Sequence, residues 1–144
     1  MKRLKLAFIG IISGLFLGAF LWGVQIITTK YVYTLLISVD YIPVLKEWNM
    51  HPITELVLHL IVSVIVVFVL YAIFKRWDMQ YRVLPYVMAN GVIGILLYGT
   101  TAFSTRTPEL LDYFAIFYWI IGHLLYGVIV GIFLQKQKGC PHET

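Results

Sequence analysis

The sequence predicts an all-α integral membrane protein built as a bundle of four transmembrane helices. Of its 144 residues, 60% are hydrophobic and 12% are charged, whereas a soluble domain carries about 25% charged residues. The apolar residues fall into four long stretches, each able to cross a hydrocarbon core of roughly 30 Å. Short connections join these stretches, so little of the chain is left for a soluble catalytic domain.

The first predicted span, residues 6–27, has no charged residue and carries glycines four positions apart, Gly10, Gly14 and Gly18. This spacing puts the glycines on one helical stripe, where a second helix can approach closely. Basic residues precede the span, as they do in a signal peptide. The length of the apolar run favours an uncleaved signal-anchor helix.

Three further spans are expected at residues 53–74, 83–103 and 113–134. Residues 28–50 mix charged with aromatic side chains, and we expect this segment to lie in the membrane interface, with a continued first helix as the alternative. Pro52 suits the first turn of the second span. Residues 135–144 form a polar tail, and its lone Cys140 excludes an internal disulfide framework.

Lysine and arginine are distributed unequally between the two sides of these spans. One side holds eight of them and the other holds Lys30, Lys46 and Arg106. The positive-inside rule therefore predicts that both termini are cytoplasmic. Because topology accounts for the basic residues, the formal net charge of +4 does not indicate a nucleic-acid partner.

An internal repeat is visible when the spans are compared with each other. A shift of 64 positions superimposes the second span on the fourth and places His59 on His123. A shift of 81 positions superimposes the first span on the third and places Gly10 on Gly91. Two parallel helical-hairpin repeats about an axis along the membrane normal would explain the match. Chance similarity between apolar sequences is the other interpretation.

Ionisable side chains inside spans are costly in lipid and are therefore the candidate functional groups. Glu55 and His59 lie four residues apart on one helical face, close enough to form a hydrogen bond that would hold the imidazole charged or fix its tautomer. Together with His123 they would form a polar seam able to sense or relay protons. Hydroxyl and amide groups would complete this seam: Ser63, Asn90, Tyr98, Tyr118 and Tyr126.

Other interpretations of the two histidines remain open. An imidazole can hydrogen-bond across a helix interface simply to hold a bundle together. Two rings at one depth on facing helices could also ligate haem through His59 and His123. Apart from this alternative we expect no cofactor, no metal site and no catalytic residue. Pro52 interrupts the series His51, Glu55 and His59, and the sequence has no nucleotide loop, zinc-protease pair or nucleophile elbow.

Eight glycines are expected at helix-packing surfaces. They are Gly10, Gly14, Gly18, Gly91, Gly94, Gly99, Gly127 and Gly131. Because four short helices rarely enclose a conduit, an alternative function is a small transporter or channel subunit that forms a homo-oligomer through these glycine faces. Membrane lipid is the other expected partner.

Short motifs in all four spans become distinctive when they are taken together. They are Ala7-Phe8-Ile9-Gly10-x-Ile12-x-Gly14 with Trp22-Gly23, then His59 followed by Ser63, then Thr107-Pro108-x-Leu110-x-Asp112 and Gly122-His123-Leu124. This set resembles the YagU-like family of small bacterial inner-membrane proteins. The resemblance implies a four-span protein of the bacterial cytoplasmic (inner) membrane, of unknown molecular activity and not an enzyme, with a link to tolerance of acid or envelope stress.

Two positions depart from that family pattern. Trp119 stands where the family has an acid four residues before His123. Tyr98 and Gly99 lie near the position of a family histidine in the third span. If the family role extends to this chain, we expect His59 and His123 to carry it.

Overall fold

The computed structural model describes residues 3–38, 42, 51–104 and 106–138. Its five α-helices are α1 (Arg3–Thr28), α2 (Val32–Ile37), α3 (Pro52–Lys75), α4 (Val83–Tyr98) and α5 (Tyr113–Gln137). A 3₁₀ helix, Gly99–Phe103, extends α4. With that extension, four helices are long and apolar enough to cross a membrane. The predicted all-α class and the four-helix bundle are confirmed.

Local sequence explains where two of the long helices begin. His51 precedes Pro52, and its Nδ1 accepts a hydrogen bond from the backbone N–H of Ile53 at 3.3 Å. Asp112 caps α5 similarly, accepting a bond from the N–H of Ala115 at 3.1 Å. Each cap satisfies a backbone donor that an α-helix leaves unpaired at its N-terminus.

The four long helices pack as two pairs. Helix α1 packs against α3 and α4 packs against α5, while α1 also contacts α5. These pairs coincide with the two hairpins of the predicted repeat. An accurate two-fold axis would place α1 on α4 and α3 on α5. The contact between α3 and α4 would then be as extensive as that between α1 and α5, but α3 makes few contacts with α4. The internal duplication itself stays a prediction.

Six of the eight expected packing glycines lie where the helices of a pair meet. A Cβ atom on Gly10 would lie 2.7 Å from the Cα of Val64, and one on Gly127 would lie 2.7 Å from the carbonyl oxygen of Tyr86. A side chain at either position would force the helices apart, so glycine permits their close approach. The remaining four at such contacts are Gly14, Gly91, Gly94 and Gly131.

Gly18 and Gly99 do not lie between the helices of a pair. A Cβ atom on Gly18 would meet only the ring of Tyr33 in α2, at 4.0 Å, and one on Gly99 would meet nothing within 4 Å. Helix α2 packs on both α1 and α3 and occupies the level of Gly18. Gly122 serves a different contact, because a Cβ atom there would lie 3.1 Å from Leu17 in α1.

Part of the segment after the first span, expected to lie in the membrane interface, forms a short helix that packs on the bundle, while its interfacial depth stays a prediction. Thr29 adopts a φ of 60° and reverses the chain after α1. Gln25 holds the reversal, because its Oε1 accepts a hydrogen bond from the N–H of Thr34 at 3.0 Å. Helix α2 then packs on α1 and α3 and buries Val32 and Leu35. Residues 39–41 and 43–50 lie outside the described residues.

Polar contacts tie the chain together at both ends of the bundle. Lys30, beyond α1, forms an ion pair with Asp112 at 2.7 Å, and its ammonium lies 5.9 Å from the ring centroid of Phe114. At the opposite end, Lys5 donates to Oε1 of Gln137 at 3.1 Å. Helix α5 thus continues three residues beyond the predicted span. Residues 139–144, including the cysteine, lie outside the described residues.

Candidate functional site

A cavity of about 120 Å³ lies inside the bundle, lined by residues of all five helices. Nine of its lining residues are aliphatic, and they surround a small number of polar groups. Five of the eight residues expected in the polar seam line it: His59, Ser63, Asn90, His123 and Tyr126. Trp119 joins them. The structure therefore gathers most of the predicted seam around one space.

His59 is anchored to the neighbouring helix of its own pair. Its Nε2 lies 3.1 Å from the carbonyl oxygen of Gly14. Since a carbonyl oxygen can only accept, this nitrogen carries the proton, and in the neutral ring Nδ1 is an acceptor. No partner for Nδ1 is found among the described residues. Gly14 makes the approach possible, because a Cβ atom there would lie 2.8 Å from Oγ of Ser63.

His123 is anchored to its own helix and is almost fully buried, with 4% of its surface exposed. Its Nδ1 donates to the carbonyl oxygen of Trp119 at 3.0 Å. The Trp119 ring lies against the imidazole with centroids 4.4 Å apart, and its Nε1 donates to the carbonyl oxygen of Gly94 at 2.8 Å. In the neutral ring Nε2 is then the acceptor. It too has no partner in the part of the chain that the structure describes.

Ser63 and Tyr126 connect three helices beside the histidines. The hydroxyl of Ser63 donates to the carbonyl oxygen of Gly10 at 2.7 Å. The hydroxyl of Tyr126 lies 2.8 Å from Oγ of Ser63 and 3.2 Å from its carbonyl oxygen. Because the hydroxyl proton of Ser63 is used in its bond to Gly10, Tyr126 is the donor in this pair. The bonds join α1, α3 and α5 at one level of the bundle.

Asn90 presents its amide carbonyl without a protein partner. Only 1% of its surface is exposed, and its Nδ2 donates to the carbonyl oxygen of Tyr86 at 2.8 Å. No donor to Oδ1 occurs among the described residues. A buried amide oxygen that lines a cavity without a bond needs a donor from water or a ligand.

The expected pair of Glu55 with His59 is not formed. The carboxylate of Glu55 is buried, with 2% of the residue exposed, and its Oε1 accepts a hydrogen bond from the guanidinium of Arg106 at 3.0 Å. Arg106 is a stronger partner for this carboxylate than His59, because a guanidinium carries a full positive charge and hydrogen-bond donors in a fixed geometry. Glu55 does not line the cavity. Burial raises the pKa of the nearby Tyr33 hydroxyl, and the negative charge of Glu55 raises it further.

Two tyrosines of the predicted seam also lie elsewhere. The hydroxyl of Tyr98 donates to the carbonyl oxygen of Glu109 at 3.0 Å, in the connection before α5. The ring of Tyr118 lies against Phe117, with centroids 5.6 Å apart. Trp119 and Arg106 have structural partners that sequence reasoning missed. The spacing of four residues between Trp119 and His123 could have indicated their contact. Nothing in the local sequence indicated that Arg106 bonds Glu55.

The cavity does not suit haem. Its volume of about 120 Å³ is below that of an engineered cavity of about 150 Å³ that holds one benzene ring, whereas haem has four pyrrole rings. In addition, Nε2 of His59, the nitrogen by which histidine usually ligates haem iron, already bonds the Gly14 carbonyl. Among the described residues, no three His, Cys, Asp or Glu side chains converge on a possible metal position.

No protein-family model, curated protein or solved structure matches this chain.

Proposed function

We propose that this chain is a proton-responsive, non-enzymatic protein of the bacterial inner membrane, in which His59 and His123 bind protons inside the central cavity. The motifs that resemble the YagU-like family support this proposal and its link to acid or envelope stress. The excess of lysine and arginine on one side supports a cytoplasmic location for both termini. A reporter active only in the cytoplasm, fused in turn to each terminus and to the connection before α3, tests that orientation.

One observation carries the proposal. Two imidazoles of the membrane-spanning helices line one cavity, and each keeps an acceptor nitrogen that has no partner among the described residues. Protonation would place a positive charge where no carboxylate of the described lining residues balances it, and Glu55 is paired with Arg106. Such a charge is costly in lipid, so the proton would come with water or a displaced side chain. Acidification then changes the occupancy and shape of the cavity.

The groups around the two rings leave few other sites for that proton. Helix α4 contributes Asn90 to the lining, and Tyr126 is the other titratable side chain from α5. Tyr126 is bonded to Ser63, and a phenol does not gain a proton on acidification. Among the described lining residues, His59 and His123 are therefore the groups that would gain a proton on acidification.

Trp119 supplies a direct readout of protonation at His123. The two rings are in contact, and an imidazolium attracts and quenches an indole more strongly than a neutral imidazole does. We expect a variant whose other tryptophans are replaced by Phe (Trp22, Trp48 and Trp77) to lose fluorescence sigmoidally on acidification. His123→Gln should abolish this transition, while His51→Gln, at the N-cap of α3, should keep it. A transition that survives His123→Gln would contradict the proposal.

Proton sensing and proton relay are separated by flux. Liposomes containing the native protein are compared with liposomes containing the double variant of His59→Gln and His123→Gln, with a potassium diffusion potential as the driving force. Faster acidification with the native protein would support relay. Equal rates would exclude relay and leave sensing, which the fluorescence titration decides.

The alternative, a transporter or channel subunit that forms a homo-oligomer through glycine faces, stays a prediction. Six of those glycines contact neighbouring helices of the same chain. Of the eight, Gly18 and Gly99 are the ones with more space around them for a second copy.

A further inference from the structure

Most proton donors of the cavity lining are already used. The ring N–H groups of the two histidines and of Trp119 bond backbone carbonyls. One N–H of the Asn90 amide, the hydroxyl of Ser63 and that of Thr100 also bond carbonyls. Tyr126 donates to Ser63. Among these groups, the second N–H of the Asn90 amide is the donor left to offer a ligand.

Three acceptors remain in the same lining. They are Nδ1 of His59, Nε2 of His123 and Oδ1 of Asn90, none of which has a partner among the described residues. His123 and Asn90 are both more than nine-tenths buried. These acceptors belong to residues that line the cavity. An occupant with O–H or N–H groups would give them hydrogen-bond partners.

The rest of the lining favours a ligand whose main part is small and apolar. Nine aliphatic residues surround the polar groups, and the volume is about 120 Å³. A dry cavity of about 150 Å³ binds benzene. A single six-membered ring is therefore the upper limit for a ligand body enclosed here, and hydroxyl groups on it would supply hydrogen-bond donors.

The cavity lining reaches the outer surface of the bundle at α3 and α4. Helices α3 and α4 barely touch, and the lining includes Val62 of α3 and Leu97 of α4, with exposed fractions of 53% and 36%. Both side chains lie within membrane-spanning helices, so the opening between them faces lipid. A ligand carrying an apolar chain could leave that chain in the bilayer.

We propose that this cavity binds a lipophilic aromatic ring bearing hydroxyl donors, of the hydroquinone type, which enters from the bilayer between α3 and α4. The ring packs against the aliphatic lining, and its two hydroxyls donate to two of the three unpaired acceptors, on His59, His123 and Asn90. The proposal goes beyond proton binding and does not require it. Loss of the pH response with retained ring binding would overturn the proposed function alone, and the reverse result would overturn this inference alone.

A matched pair of probes tests the donor requirement. Native protein in lipid nanodiscs is titrated under anaerobic conditions with a radiolabelled hydroquinone bearing a decyl chain, and separately with the corresponding quinone. Binding to empty nanodiscs is subtracted. The quinone has the same ring but turns two acceptors toward the acceptors of the cavity. We expect saturable binding of the hydroquinone and at least about tenfold weaker binding of the quinone.

Two variants of α3 test the location. Val62→Trp would fill the opening, whereas Val69→Trp changes a residue of the same helix that is similarly exposed, at 49%, and does not line the cavity. We expect at least a tenfold loss of hydroquinone affinity in the first variant and none in the second. The side chains at positions 62 and 69 both face lipid, so we expect the bundle to tolerate an indole ring at either position.

Three results of these binding experiments would contradict the inference. Equal affinity for hydroquinone and quinone, equal effects of the two tryptophan variants, or no saturable binding with water as the only occupant would each overturn the inference. Chain-free hydroquinone serves as a further arm. If it binds as tightly as the decyl form, the source is a free phenolic compound. If the chain is required, the source is a membrane lipid. Either result supports the recognition of the ring.

Discussion

Replacement of Gly127 by alanine is the sharpest test of the packing between α4 and α5. The added Cβ atom would lie 2.7 Å from both the carbonyl oxygen of Tyr86 and the Cα of Val87. These are backbone atoms, which cannot rotate away as a side chain can. Ordinary contact begins near 3.4 Å, so α4 and α5 must separate by about 0.7 Å.

The expected cost follows from two opposing effects. Forcing one extra carbon into a packed contact costs about 1–3 kcal/mol, and backbone neighbours favour the upper end. Alanine is the better helix former by about 1 kcal/mol, which offsets part of this cost. We therefore expect Gly127→Ala to lower the free energy of unfolding by about 2 kcal/mol.

Gly23→Ala is the matched control, since a Cβ atom there would meet nothing within 4 Å. It gains the same helix propensity without a clash, so we expect no loss of stability and a gain of up to about 1 kcal/mol. Both variants are measured by equilibrium unfolding in mixed micelles of mild detergent and dodecyl sulfate, followed by circular dichroism. Equal unfolding midpoints for the two variants would refute the proposed backbone contact.

Three further predictions use the same unfolding assay. The hydrogen bond from Lys30 holds the pKa of Asp112 below its ordinary value. The charged carboxylate therefore stabilises the fold above a pH of about 4. This stabilisation is lost as the pH falls through the lowered pKa. Asp112→Asn keeps a capping side chain, and we expect it to lose about 0.5–1 kcal/mol at pH 7 but almost nothing at pH 3; an equal loss at both values would contradict the ion pair. Arg106→Gln leaves the buried Glu55 without its cation and should cost about 2 kcal/mol; adding Glu55→Gln should recover most of that, and an additive double variant would contradict the pairing. Ser63→Ala removes an interhelical hydrogen bond and should cost about 1 kcal/mol; an unchanged midpoint would show that this bond does not hold the helices.

The long helices could be predicted from sequence because lipid imposes a simple rule on them. Each span must be long and apolar, and this property is visible in any window of the chain. The predicted limits at 53–74 and 83–103 lie within a residue or two of Pro52–Lys75 and Val83–Phe103. The histidines could likewise be singled out, since an ionisable group in an apolar run is conspicuous.

Tertiary partners were harder to predict than the helices themselves. Glu55 has His59 one turn away on the same helix, yet it bonds Arg106, which lies 51 positions further along the chain. No periodicity in the sequence encodes that contact. Helix α2 presented the same difficulty, because the burial of Val32 and Leu35 depends on space left by α1 and α3. Composition alone describes such a segment equally well as interfacial.

The central claim is that two neutral imidazoles each anchor one nitrogen to a carbonyl and keep the other as an acceptor toward a common cavity. Nitrogen-15 NMR of the imidazole rings in lipid at pH 7 tests it most directly, with signals assigned through His59→Gln and His123→Gln. We predict opposite tautomers, with the proton of His59 on Nε2 and that of His123 on Nδ1. The same tautomer in both rings, or two protonated nitrogens in either ring, would contradict the claim.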